Sequence, residues 1–187
     1  EEANPRYIAA DLIAQAEHDE MASSILLTHW EPLVDKVLSE LRLQVKNLKR
    51  KKIIEKSLKN YGAIIITQSL RESIDLSNRI APEHLEILTK NPFGIYRSIK
   101  NAGAIFLGEY SPEPLGDYFA GPNHTLPTNS TARFSSPLSV NDFIKKTSLI
   151  YYSKNALFKA KDSITRIAEE EGLSAHAASI KIRFEGI

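Results

Sequence analysis

Apolar positions recur every three or four residues at the start of the chain and then give way to a short apolar run. Asn4 followed by Pro5 has the form of a helix N-cap with proline in the first helical position. The apolar stripe that follows predicts a first helix over residues 4–20. The run 24–28 has the length and composition of a strand.

One long helical pattern follows this strand. Apolar residues from Leu33 to Leu48 share one face, and the same spacing continues beyond them, so we expect a helix that Gly62 terminates. The basic stretch 49–52 lies inside this pattern. It lacks the interleaved aromatic residues of a nucleic-acid site, and we interpret it as a solvated helix face.

Strand and helix signals then alternate. Residues 63–67 are β-branched strand material, and Ser69 with Glu72 forms a capping box that opens the next helix. Two further strands are predicted over residues 85–88 and 104–107, with a short helical stretch between them. The alternation predicts an α/β fold with a layered, mostly parallel sheet, an incomplete Rossmann-like domain.

The last part of the chain predicts a small, mainly helical domain. Residues 142–152 and the amphipathic run 156–167 indicate helix, and a short final helix is expected from Ser174. We therefore divide the chain into an α/β catalytic domain, residues 1–138, and a helical C-terminal domain, residues 139–187.

Composition removes several classes of function. The 187 residues contain 24 Lys and Arg against 23 Asp and Glu, so charge gives no reason to expect nucleic acid or an anionic membrane as a partner. The absence of Cys leaves His, Gln, Asp and Glu as metal ligands. With no apolar run near the roughly 20 residues that span a bilayer and no secretory signal, we expect a cytoplasmic protein, or a plastid one if the full-length protein carries a transit peptide. Because the chain lacks an initiator Met, we expect its natural sequence to begin upstream.

Two pairs of polar residues stand beside the predicted core. Gln15 and His18 are spaced i, i+3, which would place two donors on one face of the first helix. By spacing alone, two solvated polar residues are the commoner interpretation. Glu83 and His84 stand together at the start of a buried strand, where an acid and an imidazole could share proton transfer, although such pairs more often only cap a strand.

Periodicity disappears over residues 108–137, where Gly, Pro, Ser, Thr and Asn accumulate. An irregular segment of this length is unusual in a compact domain unless it is functional. Asp117 and His124 lie within it, beside glycines that allow close backbone approach. Further along, Glu171 and His176 stand where one predicted helix ends and the next begins, and they are either caps or parts of a neighbouring site.

These segments, taken together and in order, resemble the histidinol dehydrogenase family. The motifs that carry the resemblance are Ala14-Gln15-Ala16-Glu17-His18, Ala81-Pro82-Glu83-His84-Leu85-Glu86, Asn101 to Gly108, Gly116-Asp117-Tyr118, Gly121 to Thr128, and Glu171-Gly172-Leu173-Ser174-Ala175-His176. The family implies oxidation of the amino alcohol L-histidinol to L-histidine through an aldehyde, with two successive hydride transfers to NAD.

The resemblance also implies a role for each matched residue. The implied zinc ligands are Gln15, His18, Asp117 and His176. His84 resembles the general base, and Glu83 resembles the residue that activates water. The implied substrate contacts are Gln15, His18, His84, Asp117, His124, Glu171 and His176.

The chain departs from the family in extent. Members carry a cofactor-binding domain before the matched region, and this chain has no Gly-x-Gly-x-x-Gly, so the NAD site is expected mostly outside it and the chain alone is expected to be inactive. Members are also homodimers in which the C-terminal domain reaches the partner's site, which implies that role for Glu171 and His176. Two alternatives stay open: a non-catalytic zinc or ligand-binding module, and a metal-dependent hydrolase, which the absence of His-Glu-x-x-His disfavours.

Overall fold

The computed structural model describes residues 3–185. Internal contacts divide the chain into two units, Glu1–Phe143 and Ile144–Ile187. The first contains α1 Pro5–Ala16, β1 Ile25–Thr28, α2 Pro32–Gln44, α3 Lys51–Tyr61, β2 Ala63–Ile66, α4 Leu70–Ile80, β3 His84–Ile87, β4 Ala104–Leu107 and α5 Glu113–Tyr118. The second contains α6 Lys154–Glu170 and α7 Ser174–Lys181.

The four strands form two parallel pairs. Ile25 of β1 is opposite Ala63 of β2, and His84 of β3 is opposite Ala104 of β4. Parallel pairing and the mixed α/β class were predicted and are confirmed. Within residues 3–185 the strands form two separate sheets of two strands each instead of one continuous sheet.

The core of the first unit lies around α1. One cluster joins Ile13 and Ala16 of α1 to Val45 and to Ile54 of α3, and another joins Ile8 of α1 to α2. Helix α1 is thus the element on which α2 and α3 both pack, which fixes the position of its last turn.

The first helix is shorter than predicted. It ends at Ala16, not near residue 20, so His18 lies two residues beyond it. Two local side-chain contacts end the helix: a ring nitrogen of His18 lies 3.0 Å from the Ala14 carbonyl, and Asp19 accepts the Met21 N–H at 2.8 Å. His18 therefore lies outside the regular helix that was expected to carry both Gln15 and His18.

The long second helix is in fact two helices. A 3-10 turn at Val45–Asn47 and an extended Leu48 separate α2 from α3. The bend allows Val45 and Ile54 to reach the same cluster on α1, which a straight helix would prevent. Lys49 and Arg50 lie in the connection and are exposed, so only the end of the basic stretch belongs to a helix.

The segment predicted to be irregular contains α5, a helix of six residues with Pro114 and Gly116 inside it. Those two residues hid the helical pattern. Conversely, residues 142–152 were expected to be helical, but residues 144–152 have no regular structure and are exposed. Helices α6 and α7 form as predicted.

Close approach of β3 and β4 depends on a glycine. A Cβ atom on Gly103 would lie 2.6 Å from the Glu83 carbonyl oxygen, and Ala104 N–H donates to that same oxygen at 2.8 Å. We expect Gly103→Ala to reduce the free energy of unfolding by about 1–3 kcal/mol, because the strands must separate at Glu83. Chemical denaturation measures the loss.

Gly94→Ala is the matched control. Its added Cβ would meet the Asn91 side-chain nitrogen at 2.9 Å, and a side chain can move where a strand carbonyl cannot. An equal or larger loss in the control would contradict the assigned role of Gly103.

Candidate metal centre and acid–base pair

Glu83 and His84 are set in place by an unusual helix end. The C-cap of helix α4 is Ala81, which is fully buried and has left-handed φ and ψ of 51° and 62°. The Ser130 hydroxyl donates to the Ile80 carbonyl at 2.7 Å, which satisfies one of the open carbonyls at this end. Such a conformation is costly for alanine, and it persists because the surrounding contacts fix it.

His84 lies at the start of β3 and is half-buried. Both ring nitrogens are shielded from solvent, and neither has a hydrogen-bond partner among the described residues. Its ring faces Phe106, with 6.0 Å between centroids. Burial lowers the pKa of His84, an effect that the charges of Glu83 and Asp117 oppose and that of His18 reinforces. A neutral imidazole with open nitrogens can act as a base or bind a cation.

Helix α5 brings two carboxyl groups to His84. Glu113 and Asp117 are spaced i, i+4, and one ligand atom from each lies within 4.8 Å of the other and of a His84 ring nitrogen. Burial raises the pKa of Glu113 to about 7, helped by a hydrogen bond to Asp117 and by its charge. These three side chains form the candidate metal group. Sequence reasoning missed Glu113, because α5 itself was missed.

His18 contributes to the same electrostatic environment, since its charge acts on both His84 and Glu113. Its Nδ1 lies 3.0 Å from the Ala14 carbonyl. When Nδ1 carries the proton for this contact, Nε2 is left free as a ligand, an arrangement typical of metal-binding histidines. Gln15 is half-buried on the last turn of α1, where no other described side chain hydrogen-bonds to it.

Asp117 and His124 line one cavity of about 440 Å³. Its other walls include Phe106, Leu115 and Leu126, so apolar surface surrounds these two polar groups. A cavity of this size and character suits a small, partly apolar molecule. Asp117 and His124 thus both border this cavity.

Glu171 and His176 belong to the second unit. Glu171 is the residue that ends α6, followed by Gly172 with a φ of +73°, and His176 lies in the first turn of α7. Both side chains are exposed within the described chain. Their exposure leaves them available to a ligand or to another chain.

A second group of carboxyls lies beside the metal group. Burial raises the pKa of Glu86 to about 8, and the hydrogen bond that Glu86 donates to Asp11 and the charge of Asp11 add to the effect. Burial likewise raises the pKa of Asp11, while its hydrogen bond with Glu86 opposes the shift. The Glu113 N–H donates to Glu86 Oε1 at 2.9 Å, which connects the two groups.

The donors present fit a divalent cation. Nitrogen and carboxylate oxygen are ligands that zinc accepts, and they converge from separate elements. The unpartnered nitrogens of His84 and the close Glu113–Asp117 pair are both features that a cation would stabilise.

These observations define an α/β protein in which a neutral histidine, next to a glutamate in the sequence, adjoins a pair of carboxyl groups and forms with them a donor group that fits a cation. The family model for histidinol dehydrogenase matches residues 1–184. The chain belongs to the histidinol dehydrogenase family, and the resemblance seen in its motifs is confirmed.

Individual relatives agree. The chain is 60% identical over 185 residues to histidinol dehydrogenase of Clostridium acetobutylicum, covering 99% of this chain and 43% of that protein. It is 56% identical to the Halalkalibacterium halodurans enzyme, covering 99% and 44%. The crystal structure of histidinol dehydrogenase from Elizabethkingia anophelis superposes with a TM-score of 0.91 at 38% identity, covering 98% of this chain and 42% of that one. The chain thus spans less than half the length of these relatives.

No helix within residues 3–185 has the length and apolar character needed to cross a membrane.

The raised pKa of Glu86 predicts how stability depends on pH in the metal-free protein. In the folded state Glu86 holds its proton up to about pH 8, whereas in the unfolded chain it loses it near its ordinary value of 4.5. Between these values the folded state binds more protons, so stability should fall as the pH rises from about 5 to 8. Thermal unfolding at several pH values measures this.

Glu86→Gln provides the comparison for that measurement. An amide keeps a donor and an acceptor at this position but does not titrate, so the variant should lose less stability over the same range. Equal pH dependence in both proteins would contradict the assignment to Glu86.

Proposed function

We propose that this chain is the metal and substrate half of a histidinol dehydrogenase, which oxidises L-histidinol to L-histidine through an aldehyde and reduces two NAD. The observation that carries the proposal is the neutral, half-buried His84, with unpartnered nitrogens, beside Glu83 and the Glu113–Asp117 pair. A base and a cation-binding group at one position are what oxidation of an amino alcohol needs.

Zinc is proposed to bind through Gln15, His18, Asp117 and His176, where it would orient and polarise the substrate without changing its own oxidation state. The free Nε2 of His18 and the convergence of Asp117 on His84 support two of these ligands. A Glu113 carboxylate oxygen also lies within 4.8 Å of an Asp117 oxygen, so we add Glu113 as a neighbour that holds Asp117 through a hydrogen bond.

The proposed proton transfers use Glu83 and His84. In the first step the alcohol carbon gives a hydride to NAD, and His84 takes the hydroxyl proton, forming the aldehyde. In the second step Glu83 takes a proton from water as the water adds to the aldehyde. The resulting anionic tetrahedral adduct loses a second hydride, for which bound NAD would be the acceptor, to give the carboxylic acid, and this acid releases its remaining proton to become the carboxylate. His124 and Glu171 are proposed to contact the substrate.

The remaining parts of the proposal concern what completes the site. We propose that NAD binds mostly outside the 187 residues of this chain. The two parallel strand pairs are proposed to belong to a layered, Rossmann-like domain. We also propose that the protein is cytoplasmic. We also propose a homodimer in which Glu171 and His176 serve the partner's site. Leu149 and Ile150 are 97% and 82% exposed, which supports a covering partner for the second unit.

Zinc binding is the first test. We expect about one zinc ion per chain, bound without L-histidinol-dependent NADH formation by this chain alone, because NAD is proposed to bind mostly outside these residues. Asp117→Asn should weaken zinc binding roughly tenfold or more. Equilibrium competition with a chelator measures the affinity.

Asp162→Asn is the matched control, since Asp162 is an exposed residue of α6, and its affinity should equal that of the parent protein. Failure to bind zinc after loading would overturn the metal proposal. Turnover by the chain alone would overturn the placement of the NAD site.

Separate roles for Glu83 and His84 predict separate kinetic losses in the intact dehydrogenase. His84→Asn should lower kcat for L-histidinol about 10²-fold or more by removing the base. Glu83→Gln should slow oxidation of supplied aldehyde more than oxidation of the alcohol, because only the second step uses water. Stopped-flow NADH formation from each substrate separates the steps.

His29→Asn is the control for this experiment, since His29 is exposed and outside the proposed site, and its rates should be unchanged. Equal losses on both substrates with Glu83→Gln would argue against its role in activating water.

A further inference from the structure

The three elements that carry the proposed site residues each carry a second carboxyl group nearby. On α1, Asp11 lies one turn before Gln15, and on α5, Glu113 lies one turn before Asp117. On β3, Glu86 lies two residues after His84 and so points to the same side of the strand. Each of the three elements thus carries one such carboxyl, and we call Asp11, Glu86 and Glu113 the carboxyl row.

Contacts join these groups in sequence. The Asp11 and Glu86 carboxyls are hydrogen-bonded to each other. Glu86 Oε1 in turn accepts the Glu113 N–H at 2.9 Å. Glu86 is thus the one residue of the row that contacts both neighbouring elements.

Helix α5 has a particular need for this contact. Its six residues are too few for a helix that is stable by itself, and Pro112 at its N-cap provides no side-chain acceptor for the first N–H groups. Glu86 supplies that acceptor from a neighbouring strand. The start of α5, and with it the direction of Asp117, depends on β3.

Burial of these three carboxyl groups lowers the stability of the fold. Glu113 is 7% exposed, Asp11 and Glu86 are partly buried, and none of the three forms an ion pair within residues 3–185. Buried acids without a cationic partner lower stability unless hydrogen bonds satisfy them. An apolar residue at position 86 would pack here with less cost but would hold neither helix.

We infer that Glu86 is a positioning residue that clamps α1 and α5 to β3, and thereby sets Gln15, His18 and Asp117 around His84. The inference rests on the proposed function for what is positioned, whereas the clamp itself rests on the contacts of Asp11, Glu86 and Glu113.

The test compares Glu86→Leu with Glu86→Gln in the full chain. The leucine variant removes both hydrogen bonds, so exchange of the Glu113 amide hydrogen should accelerate roughly tenfold or more, and affinity for zinc alone should fall roughly tenfold, as for other residues that orient ligands. The glutamine variant can donate to Asp11 and accept from Glu113, so both quantities should return to within about threefold of the parent values.

Glu72→Leu is the matched control for loss of a helix-capping carboxylate. Glu72 accepts the Gln68 N–H at 2.6 Å at the start of α4. This variant should be less stable than the parent, with unchanged zinc affinity and unchanged exchange at Glu113. If Glu86→Leu does not fold, Asp11→Ala breaks the contact with α1 alone and should reduce zinc affinity in the same direction.

The outcomes separate the clamp from the proposed function. Unchanged zinc affinity in Glu86→Leu, or a loss that Glu86→Gln does not restore, would overturn the clamp. If the parent protein binds no zinc, the proposed function fails, and amide exchange at Glu113 with its rescue by glutamine still decides whether Glu86 holds α5.

Discussion

Burial of several carboxyl groups beside one strand is the constraint on which the rest of this structure depends. Glu86 and Glu113 have pKa values raised to about 8 and about 7, chiefly because burial disfavours their charged forms. Like charges held this closely cannot all be ionised, so the fold must retain protons or bind a cation. Retained protons suit the Asp11–Glu86 pair, and a bound cation suits the Glu113–Asp117 pair.

The elements around the carboxyls supply the rigidity that such a group requires. Helix α1 is held by two hydrophobic clusters, and β3 is held by pairing with β4, where Gly103 permits close contact with Glu83. Helix α5 has little apolar packing of its own and depends on a polar contact from β3. The side chains carried by α1 and β3 are therefore the most rigid part of the site, and Asp117 on α5 is the most adjustable part.

Much of the fold follows from local sequence, and the failures have physical causes. The four strands were predicted to within one residue at each end, because β-branched runs bounded by polar residues are strong signals. The break after Val45 was missed because both helices present apolar residues to α1 at continuous spacing. Helix α5 was missed because a tertiary contact, which leaves no periodic pattern, stabilises it.

The candidate site shows the same division. Asp117, His84 and Glu83 were predicted as site residues from their motifs, but Glu113 and Glu86 were not, since a buried acid has no sequence signature apart from its neighbours in space. The difference matters chemically. Glu86 and Asp11 are hydrogen-bonded to each other and need no ligand for that contact. The Glu113–Asp117 pair instead adjoins the ring nitrogens of His84, which have no partner among the described residues, and a divalent cation can replace the proton there. One carboxyl pair thus fixes the frame and the other can exchange a proton for a metal ion, although both pairs arise from the same burial.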